Sequence, residues 1–164
     1  ELYEPLAEDD GMILRVKTAT AQLHGNRELI SQALANLVEN AIKYGKPAVV
    51  PLGVEAAGLA KEILIEAQRQ GDQVLLSVID HGPGIPEAER KHAVERFVRL
   101  EASRTLPGSG LGLSLASAVA TLHGGELRLG DTHPGLTATL VLPAAAGVPA
   151  RLAAQTADVP QKAA

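Results

Sequence analysis

The stretch LANLVENAIKYG, residues 34–45, places two asparagines four residues apart on one face of an otherwise mostly apolar segment. Asparagine is a mediocre helix former, because its side chain competes for the backbone's hydrogen bonds. The helical spacing of apolar residues over 28–44 nevertheless predicts a helix, with Asn26 as its N-cap and Glu28 favourable in its first turn. The two asparagines therefore indicate a use other than helix formation.

The predicted helix has an apolar face and a polar face. The apolar face, expected to pack on a sheet, comprises Leu29, Ile30, Ala33, Leu34, Leu37, Val38 and Ala41. The polar face comprises Gln32, Asn36, Asn40 and Lys43. Amide oxygens can bind a hard divalent cation and a lysine can neutralise phosphate oxygens, so the polar face suits a magnesium nucleotide. An ordinary solvated face is the alternative, and the helix alone does not decide between them.

The composition indicates a single domain. Its 164 residues, 46% of them hydrophobic, are enough to form one sizeable core. The net charge of −4 argues against nucleic acid or an anionic membrane as the main partner. The absence of cysteine excludes disulfides, thiolate metal sites and cysteine nucleophiles. No apolar run approaches the roughly 20 residues that span a bilayer, so the sequence predicts a soluble domain. Its opening without methionine indicates a piece of a longer protein, with processing of the chain as the alternative.

The order of predicted elements favours an α+β fold, a two-layer sandwich in which helices cover an antiparallel sheet. The predicted strands are residues 12–18, 62–68 and 73–80, followed by a closing hairpin at 126–143. The predicted helices are residues 28–44, 86–97 and 111–125. The stretch 47–60 is predicted to be a surface loop, and the alanine- and proline-rich tail, residues 144–164, is predicted to be disordered.

Two glycine clusters stand at predicted loop positions. DHGPGI, residues 80–85, follows an apolar strand, which places Asp80 at the strand end and the glycines in a turn that a ligand can approach. A half-buried carboxylate at that point requires a hydrogen bond, and an adenine amino group is a suitable donor. GSGLGL, residues 108–113, precedes a helix whose N-terminus can hold phosphates. Taken singly, such clusters more often mark tight turns.

Four motifs follow one another along the chain: NLVENAIKYG, DHGPGI, ERFVRL and GSGLGLSLASAVATLHGG. In this order they resemble the N box, first glycine box, F box and second glycine box of the ATP-binding domain of bacterial sensor histidine kinases. The resemblance implies the Bergerat fold, with a mixed, mostly antiparallel sheet covered by helices on one face and a flexible ATP lid. It also implies that residues 1–11 end a linker from an upstream helical dimerisation domain and that residues 12–143 form the ATP-binding domain.

The resemblance implies roles for individual residues. Asn40 is expected to bind Mg²⁺, with Asn36 lining the phosphate region and Lys43 contacting phosphate. Asp80 is expected to bind the adenine amino group. Arg99, in the F box, is expected to contact the γ-phosphate and to complete a catalytic set with Asn36, Asn40 and Lys43. The other residues expected at the nucleotide are Tyr44 and Thr139 beside adenine, Gly82, Gly84 and Ile85 in its pocket, and Gly108, Gly110, Leu111, Gly112 and Leu113 around the phosphates.

The implied activity is phosphoryl transfer from ATP, with Mg²⁺, to a histidine on the dimerisation domain and then to a response regulator. ATP-hydrolysing relatives carry a glutamate four residues before the magnesium-binding asparagine, whereas here that position is Asn36, and a neutral amide is a poor general base. The full-length protein is expected to be a homodimer, with this fragment monomeric. The fragment is expected to be a cytoplasmic domain whose parent is either membrane-anchored or soluble.

Several alternatives stay open from the sequence. A degenerate regulatory or scaffold module of the same fold is favoured by His81, where the first glycine box often has asparagine, and by the lengthened stretch 47–60. A stand-alone serine kinase or an ATPase of the same superfamily is a second alternative, although the ATPase requires an acid at position 36. A plain interaction domain leaves the ordered motifs unexplained. The remaining histidines lack metal-ligand spacing and are predicted to be structural or solvated: His24, His92, His123 and His133.

Overall fold

The computed structural model describes residues 3–47, 61–95 and 110–145. The first elements along the chain are α1 (Glu4–Asp9), β1 (Ile13–Thr18), α2 (Arg27–Tyr44), β2 (Glu62–Gln70) and β3 (Gln73–Ile79). A 3-10 turn at Glu87–Glu89 is followed by α3 (Arg90–Ala93), α4 (Gly112–Leu122), β4 (Glu126–Asp131) and β5 (Leu136–Pro143). The loop stretch beyond Pro47 and the F box beyond Glu95 lie outside the described residues.

The sheet has five strands in the order β1-β2-β3-β5-β4. β1 runs parallel to β2, with Ile13 opposite Glu62, and the connection between these two strands contains α2. A parallel pair needs such a crossover, because a tight hairpin can join only antiparallel strands. The pairs β2–β3, β3–β5 and β4–β5 are antiparallel. The prediction of an α+β fold with a mixed, mostly antiparallel sheet is confirmed.

The helix α2 begins where its sequence predicts. Asn26 is its N-cap, and the side-chain Oδ1 of Asn26 accepts a hydrogen bond from the main-chain N–H of Leu29 at 2.9 Å. Leu37 is 2% exposed, as expected for the apolar face. Leu29 was wrongly predicted to belong to the buried apolar face. It is 36% exposed, in a first helical turn that lies at the surface. Ile42, which was not predicted, is 1% exposed instead.

The helices α2 and α4 lie side by side in opposite directions and enclose the core against the sheet. The main-chain N–H of Asn26, at the start of α2, donates to Nε2 of His123, at the end of α4, at 3.0 Å. At the other end, Gly112 of α4 lies against Asn40 of α2. The largest fully buried side chains of the core and sheet are Leu37, Ile42, Ile63, Leu140, Leu142, Val74 and Val141.

The packed part of the chain extends beyond the predicted domain at both ends. Within residues 1–11, assigned from the sequence to a linker, α1 buries Ala7 completely. Residues 144 and 145, predicted to begin a disordered tail, instead hydrogen-bond to the domain, with the N–H of Ala145 donating to the carbonyl of Gln22 at 2.8 Å. Short segments at the ends of a domain become ordered when they are fixed by such contacts.

Two predicted helices are shorter than their sequence patterns. α4 ends at Leu122, and Gly124 follows with a φ of +73°, a conformation that glycine adopts readily at helix ends. Within the described residues, which end at Glu95, the helix predicted over 86–97 is a 3-10 turn followed by the four residues of α3. Of α3 only Ala93 is buried, and a helix with little packing gains little stability in water. None of the described helices is long and apolar enough to cross a membrane.

Candidate functional site

The end of α2 and the start of α4 meet at Asn40 and Gly112. A Cβ atom added to Gly112 would lie 2.9 Å from Nδ2 and 3.2 Å from Oδ1 of Asn40, so the amide group rests directly on the glycine. Asn40 is only partly buried. The predicted N box and second glycine box therefore share one corner of the fold.

The N-terminus of α4 points into this corner without a side-chain cap. Leu111 is the N-cap residue and makes no side-chain hydrogen bond to the helix. Gly110, just before it, has a φ of +70°, which glycine reaches without the strain that a Cβ would bring. The first main-chain N–H groups of a helix have no partner within the helix, and its dipole favours negative charge there. This end of α4 is suited to an anion such as phosphate.

Asp80 follows β3 directly and is a buried carboxylic acid, 6% exposed. Its Oδ1 accepts hydrogen bonds from the main-chain N–H groups of Gly82, at 2.9 Å, and Leu136, at 3.2 Å. Its Oδ2 accepts no hydrogen bond from any residue in the described ranges. The carboxyl group is therefore fixed through one oxygen and leaves the other for a donor on a ligand.

Burial raises the pKa of Asp80 from its ordinary value, because the charged form loses its hydration. The two hydrogen bonds from Gly82 and Leu136, and the electrostatic effect of the adjacent His81, act in the opposite direction and offset part of the rise. Perturbed acids of this kind are concentrated at binding and catalytic sites.

Three glycines allow the backbone to close around Asp80. A Cβ on Gly45, at the end of α2, would lie 2.6 Å from the Cβ of Asp80. A Cβ on Gly82 would collide with the carbonyl of Tyr44 and lie 2.7 Å from the Cα of Gly45. A Cβ on Gly135, which has a φ of +125°, would collide with the carbonyl oxygen of Asp80. The end of α2, the DHGPGI turn and the start of β5 therefore meet at the carboxylate.

The same helix carries two further polar residues predicted at the nucleotide, Asn36 and Lys43. Asn36 is one turn before Asn40, and its Nδ2 donates to the carbonyl of Gln32 at 2.9 Å. Its amide oxygen accepts no hydrogen bond from the part of the chain that the structure describes. Lys43 is exposed on the next turn. Glu39 belongs to a different side of the helix, because its Oε1 accepts from the hydroxyl of Tyr3 at 3.2 Å.

A family model described as histidine kinase-, DNA gyrase B-, and HSP90-like ATPase matches residues 25–146, which is most of the chain. The chain belongs to this ATPase family. The match covers the whole of α2 and every element after it, including both glycine boxes.

The chain is similar to the signal transduction histidine-protein kinase/phosphatase MprB of Mycobacterium sp. strain KMS. The two sequences are 41% identical over 114 residues, which are 70% of this chain. The MprB of Mycobacterium leprae is 40% identical over 115 residues. The chain spans about a fifth of the length of these relatives (20%). The resemblance to sensor histidine kinases drawn from the four motifs is confirmed.

Solved structures support the same family assignment. A mycobacterial sensor histidine kinase MprB matches with a TM-score of 0.67 and 29% identity over 86% of this chain and 88% of that one. The ATP-binding domain of PrrB from Mycobacterium tuberculosis matches with a TM-score of 0.62 and 25% identity over 88% of this chain and 92% of that one.

The structure brings together most of the predicted site residues. Asn36, Asn40, Lys43 and Tyr44 lie on the second half of α2, and Gly110, Leu111, Gly112 and Leu113 lie at the start of α4. Asp80, Gly82, Gly84 and Ile85 form the turn after β3. Arg99 and Gly108 lie outside the described residues.

Thr139 is not brought to this cluster. Its neighbours Ala138 and Leu140 belong to the core beneath the helices, and successive side chains of a strand point to opposite faces. The hydroxyl of Thr139 lies instead 2.9 Å from that of Ser77, its partner on β3. Both residues are buried on the face of the sheet away from the helices.

Four residues that contact this site were not predicted from the sequence. Gly45 and Gly135 touch Asp80 through their backbone, and a glycine is a local signal that two segments can approach closely. Thr132 donates to the carbonyl of Asp80 at 2.8 Å, and Arg90 donates to the carbonyl of Ile85 at 3.0 Å. No local sequence signal marks Thr132 or Arg90, because their partners lie in other parts of the fold.

Proposed function

We propose that this domain binds ATP with Mg²⁺ and delivers the γ-phosphoryl group to a histidine of a separate dimerisation domain in two-component signalling. The observation that carries the proposal is the arrangement along α2: Asn40 rests on Gly112 at the uncapped N-terminus of α4, and the buried Asp80 lies against Gly45 at the end of α2. The single helix α2 thus connects a site for phosphates with a site for the adenine base. Membership of the ATPase family supports this interpretation.

The phosphate end offers oxygen ligands and positive charge. The amide oxygens of Asn36 and Asn40 are hard donors of the kind that Mg²⁺ accepts. Bound Mg²⁺ would neutralise negative charge on the phosphate oxygens. Lys43 is exposed on the same helix face, and the N–H groups of the first turn of α4 complete a cradle for the polyphosphate. We assign Arg99 and Gly108 to the same end on their sequence positions alone.

The adenine end of the site offers one hydrogen-bond acceptor that is shielded from water. Oδ2 of Asp80 faces no donor among the described residues, and a buried acceptor without a partner is costly. An amino group of adenine would satisfy it. We assign Tyr44, Gly82, Gly84 and Ile85 to the walls of this pocket.

The residues of α2 favour transfer to an external acceptor over hydrolysis. The position that would hold a general base is Asn36, whose amide does not take up a proton. The nearest acid on the helix, Glu39, is hydrogen-bonded to Tyr3. In the proposed reaction an imidazole nitrogen of the acceptor bonds to the γ-phosphorus while the bond to the β,γ-bridging oxygen breaks, and ADP leaves with that oxygen. The domain contributes alignment and charge neutralisation.

We infer that the parent protein contains the histidine-bearing dimerisation domain upstream, acts as a homodimer and passes the phosphoryl group to a response regulator. Relatives named histidine-protein kinase/phosphatase support this inference, since the chain matches only a fifth (20%) of their length. The domain would then act on the cytoplasmic side, whether the parent is anchored in a membrane or not.

Calorimetric titration with a non-hydrolysable ATP analogue, with and without Mg²⁺, tests the proposal. Wild type should bind in a magnesium-dependent manner, and Asn40→Ala should lose at least tenfold in affinity, which corresponds to about 1.4 kcal/mol. Gln32→Ala is the matched control, because it removes an amide from the exposed surface of the same helix, two turns before Asn40. Its affinity should equal that of wild type.

Two results would overturn the proposal. If the wild-type domain binds no nucleotide, the chain is a module that keeps the fold of this family without its nucleotide binding. A folded Asn40→Ala variant with unchanged magnesium-dependent affinity would remove Asn40 from the site.

A further inference from the structure

The turn between β4 and β5 is attached to the backbone of Asp80. The hydroxyl of Thr132 lies 2.8 Å from the carbonyl oxygen of Asp80 and 2.7 Å from that of Pro134. A hydroxyl has one hydrogen, so it is shared between the two carbonyls and links the turn to the end of β3. Gly135 closes the turn directly on the same carbonyl of Asp80.

Arg90 connects this turn to the DHGPGI segment. Its Nε donates to the carbonyl of Ile85 at 3.0 Å, and its Nη2 forms an ion pair with Oδ2 of Asp131. The planar guanidinium presents several donors in a fixed geometry, so one side chain can hold both partners at once. The Arg90 side chain is 18% exposed, which reduces the screening of this pair by water compared with a surface ion pair.

Together these contacts hold the backbone and one carboxylate oxygen of Asp80. Its N–H and Oδ1 are bonded to Leu136, and its carbonyl is bonded to Thr132. The direction of the free Oδ2 therefore depends on the β4–β5 turn as well as on the N–H of Gly82, which also donates to Oδ1. Neither Arg90 nor Thr132 makes a hydrogen bond to the carboxylate itself among the described residues.

We propose that Arg90 and Thr132 are positioning residues that orient the Asp80 carboxylate and thereby determine recognition of the 6-amino group of adenine. The inference rests on the proposed function, because it takes Asp80 as the group that contacts the base. A carboxylate oxygen accepts from an amino group only when distance and angle are both favourable. A small shift of the turn costs this hydrogen bond and leaves the contacts to the phosphates intact.

The test compares ATP with purine riboside 5′-triphosphate, which differs from ATP only by lacking the 6-amino group. Affinities of the magnesium complexes are measured by competition against a fluorescent ATP analogue. Wild type should prefer ATP by about tenfold, the effect of one hydrogen bond of ordinary strength. In Thr132→Val and Arg90→Ala the affinity for ATP should fall until the preference disappears, with the affinity for purine riboside triphosphate unchanged.

Arg128→Ala is the matched control. Arg128 is an arginine of the same hairpin whose ion pair with Glu126 is exposed, at 56% and 58%, and does not involve the turn. Its preference for ATP should equal that of wild type. Thr132→Val keeps the shape of the side chain, so it provides the test even if Arg90→Ala does not fold.

Equal losses for both nucleotides would show that Arg90 and Thr132 only support the fold, and an unchanged preference would show that they do not orient Asp80. Either result overturns the inference and leaves the proposed function standing. A wild type that binds both triphosphates equally would also overturn the inference, by removing the amino contact. A wild type that binds neither would overturn the proposed function as well.

Discussion

Asp80 and Leu136 exchange two hydrogen bonds: the N–H of Asp80 donates to the carbonyl of Leu136 at 3.0 Å, and the N–H of Leu136 donates to Oδ1 of Asp80 at 3.2 Å. The pair continues the β3–β5 ladder, whose last regular partners are Ile79 and Thr137. In a regular antiparallel ladder the second acceptor would be the carbonyl of Asp80. That carbonyl accepts from Thr132 instead, so the carboxylate takes its place in the ladder.

Asp80→Asn should keep the fold, because the amide oxygen of asparagine can accept the same two N–H groups. Burial raises the pKa of Asp80 above its ordinary value of 3.8, so the folded protein binds that proton more tightly than the unfolded chain does. The contribution of Asp80 to stability therefore falls as the pH rises from the unfolded pKa through the folded pKa, and stays low above it. At pH 7 the variant should have a free energy of unfolding equal to or above that of wild type.

Urea unfolding of both proteins at several pH values checks this expectation. The advantage of Asp80→Asn should be greatest near neutral pH and should shrink as the pH approaches the ordinary carboxyl range. A variant that is clearly less stable than wild type at pH 7 would contradict the assignment of the raised pKa to burial.

Gly112→Ala should separate stability from binding. Gly112 is the first residue of α4 and does not have a positive φ, so alanine is acceptable there and is a better helix former by up to about 1 kcal/mol. The new Cβ would lie 2.9 Å from Nδ2 of Asn40 and would force that side chain to move. Thermal unfolding should show stability within about 1 kcal/mol of wild type. The affinity for the magnesium complex of an ATP analogue should fall at least tenfold, equivalent to about 1.4 kcal/mol.

Ser117→Ala, in the middle of the same helix, is a suitable comparison for Gly112→Ala, since it also places an alanine in α4 and lies away from Asn40. Full magnesium-dependent affinity in Gly112→Ala would indicate that Asn40 does not need its present position to bind the nucleotide complex.

His123→Ala should destabilise the fold without affecting the nucleotide site. Nδ1 of His123 donates to the carbonyl of Val119 at 2.7 Å, and Nε2 accepts from the N–H of Asn26 at 3.0 Å, an arrangement that requires the neutral imidazole protonated at Nδ1. Its removal leaves the N-terminus of α2 without this partner, at a cost of about 1–2 kcal/mol. His123 and Gly112 lie at opposite ends of α4, about 16 Å apart along the helix. Binding of nucleotide should therefore stay within about twofold of wild type, less than about 0.5 kcal/mol.

Chemical denaturation together with nucleotide titration measures both effects of His123→Ala. His92→Ala is the control, because the His92 side chain is 68% exposed and pairs only with Glu95 among the described residues. A His123→Ala variant as stable as wild type would mean that water replaces the imidazole at the N-terminus of α2.

Local features of the fold could be predicted from the sequence, whereas features that depend on distant segments could not. The N-cap Asn26 and the bounds of α2 were predicted, because capping and a 3.6-residue period depend on residues within a few turns. Leu29 was wrongly placed in the core, since periodicity identifies a face and not where the sheet beneath it ends. The order of the strands was not derivable from alternation, which gives the same pattern for β1 whether its neighbour is parallel or antiparallel.

The same distinction between local and long-range features applies to the candidate site. The sequence by itself determined which side chains are available: two amides and a lysine on one helix face, an acid at the end of an apolar strand, and glycines at a helix start. Only the tertiary structure decided how they are used, by seating Asn40 on Gly112 and by assigning the β4–β5 turn, through Thr132 and Arg90, to hold Asp80. Periodicity and capping are energies of neighbouring residues and are readable along the chain. Burial and long-range hydrogen bonds depend on which distant segments fold together, and no local sequence pattern shows which segments these are.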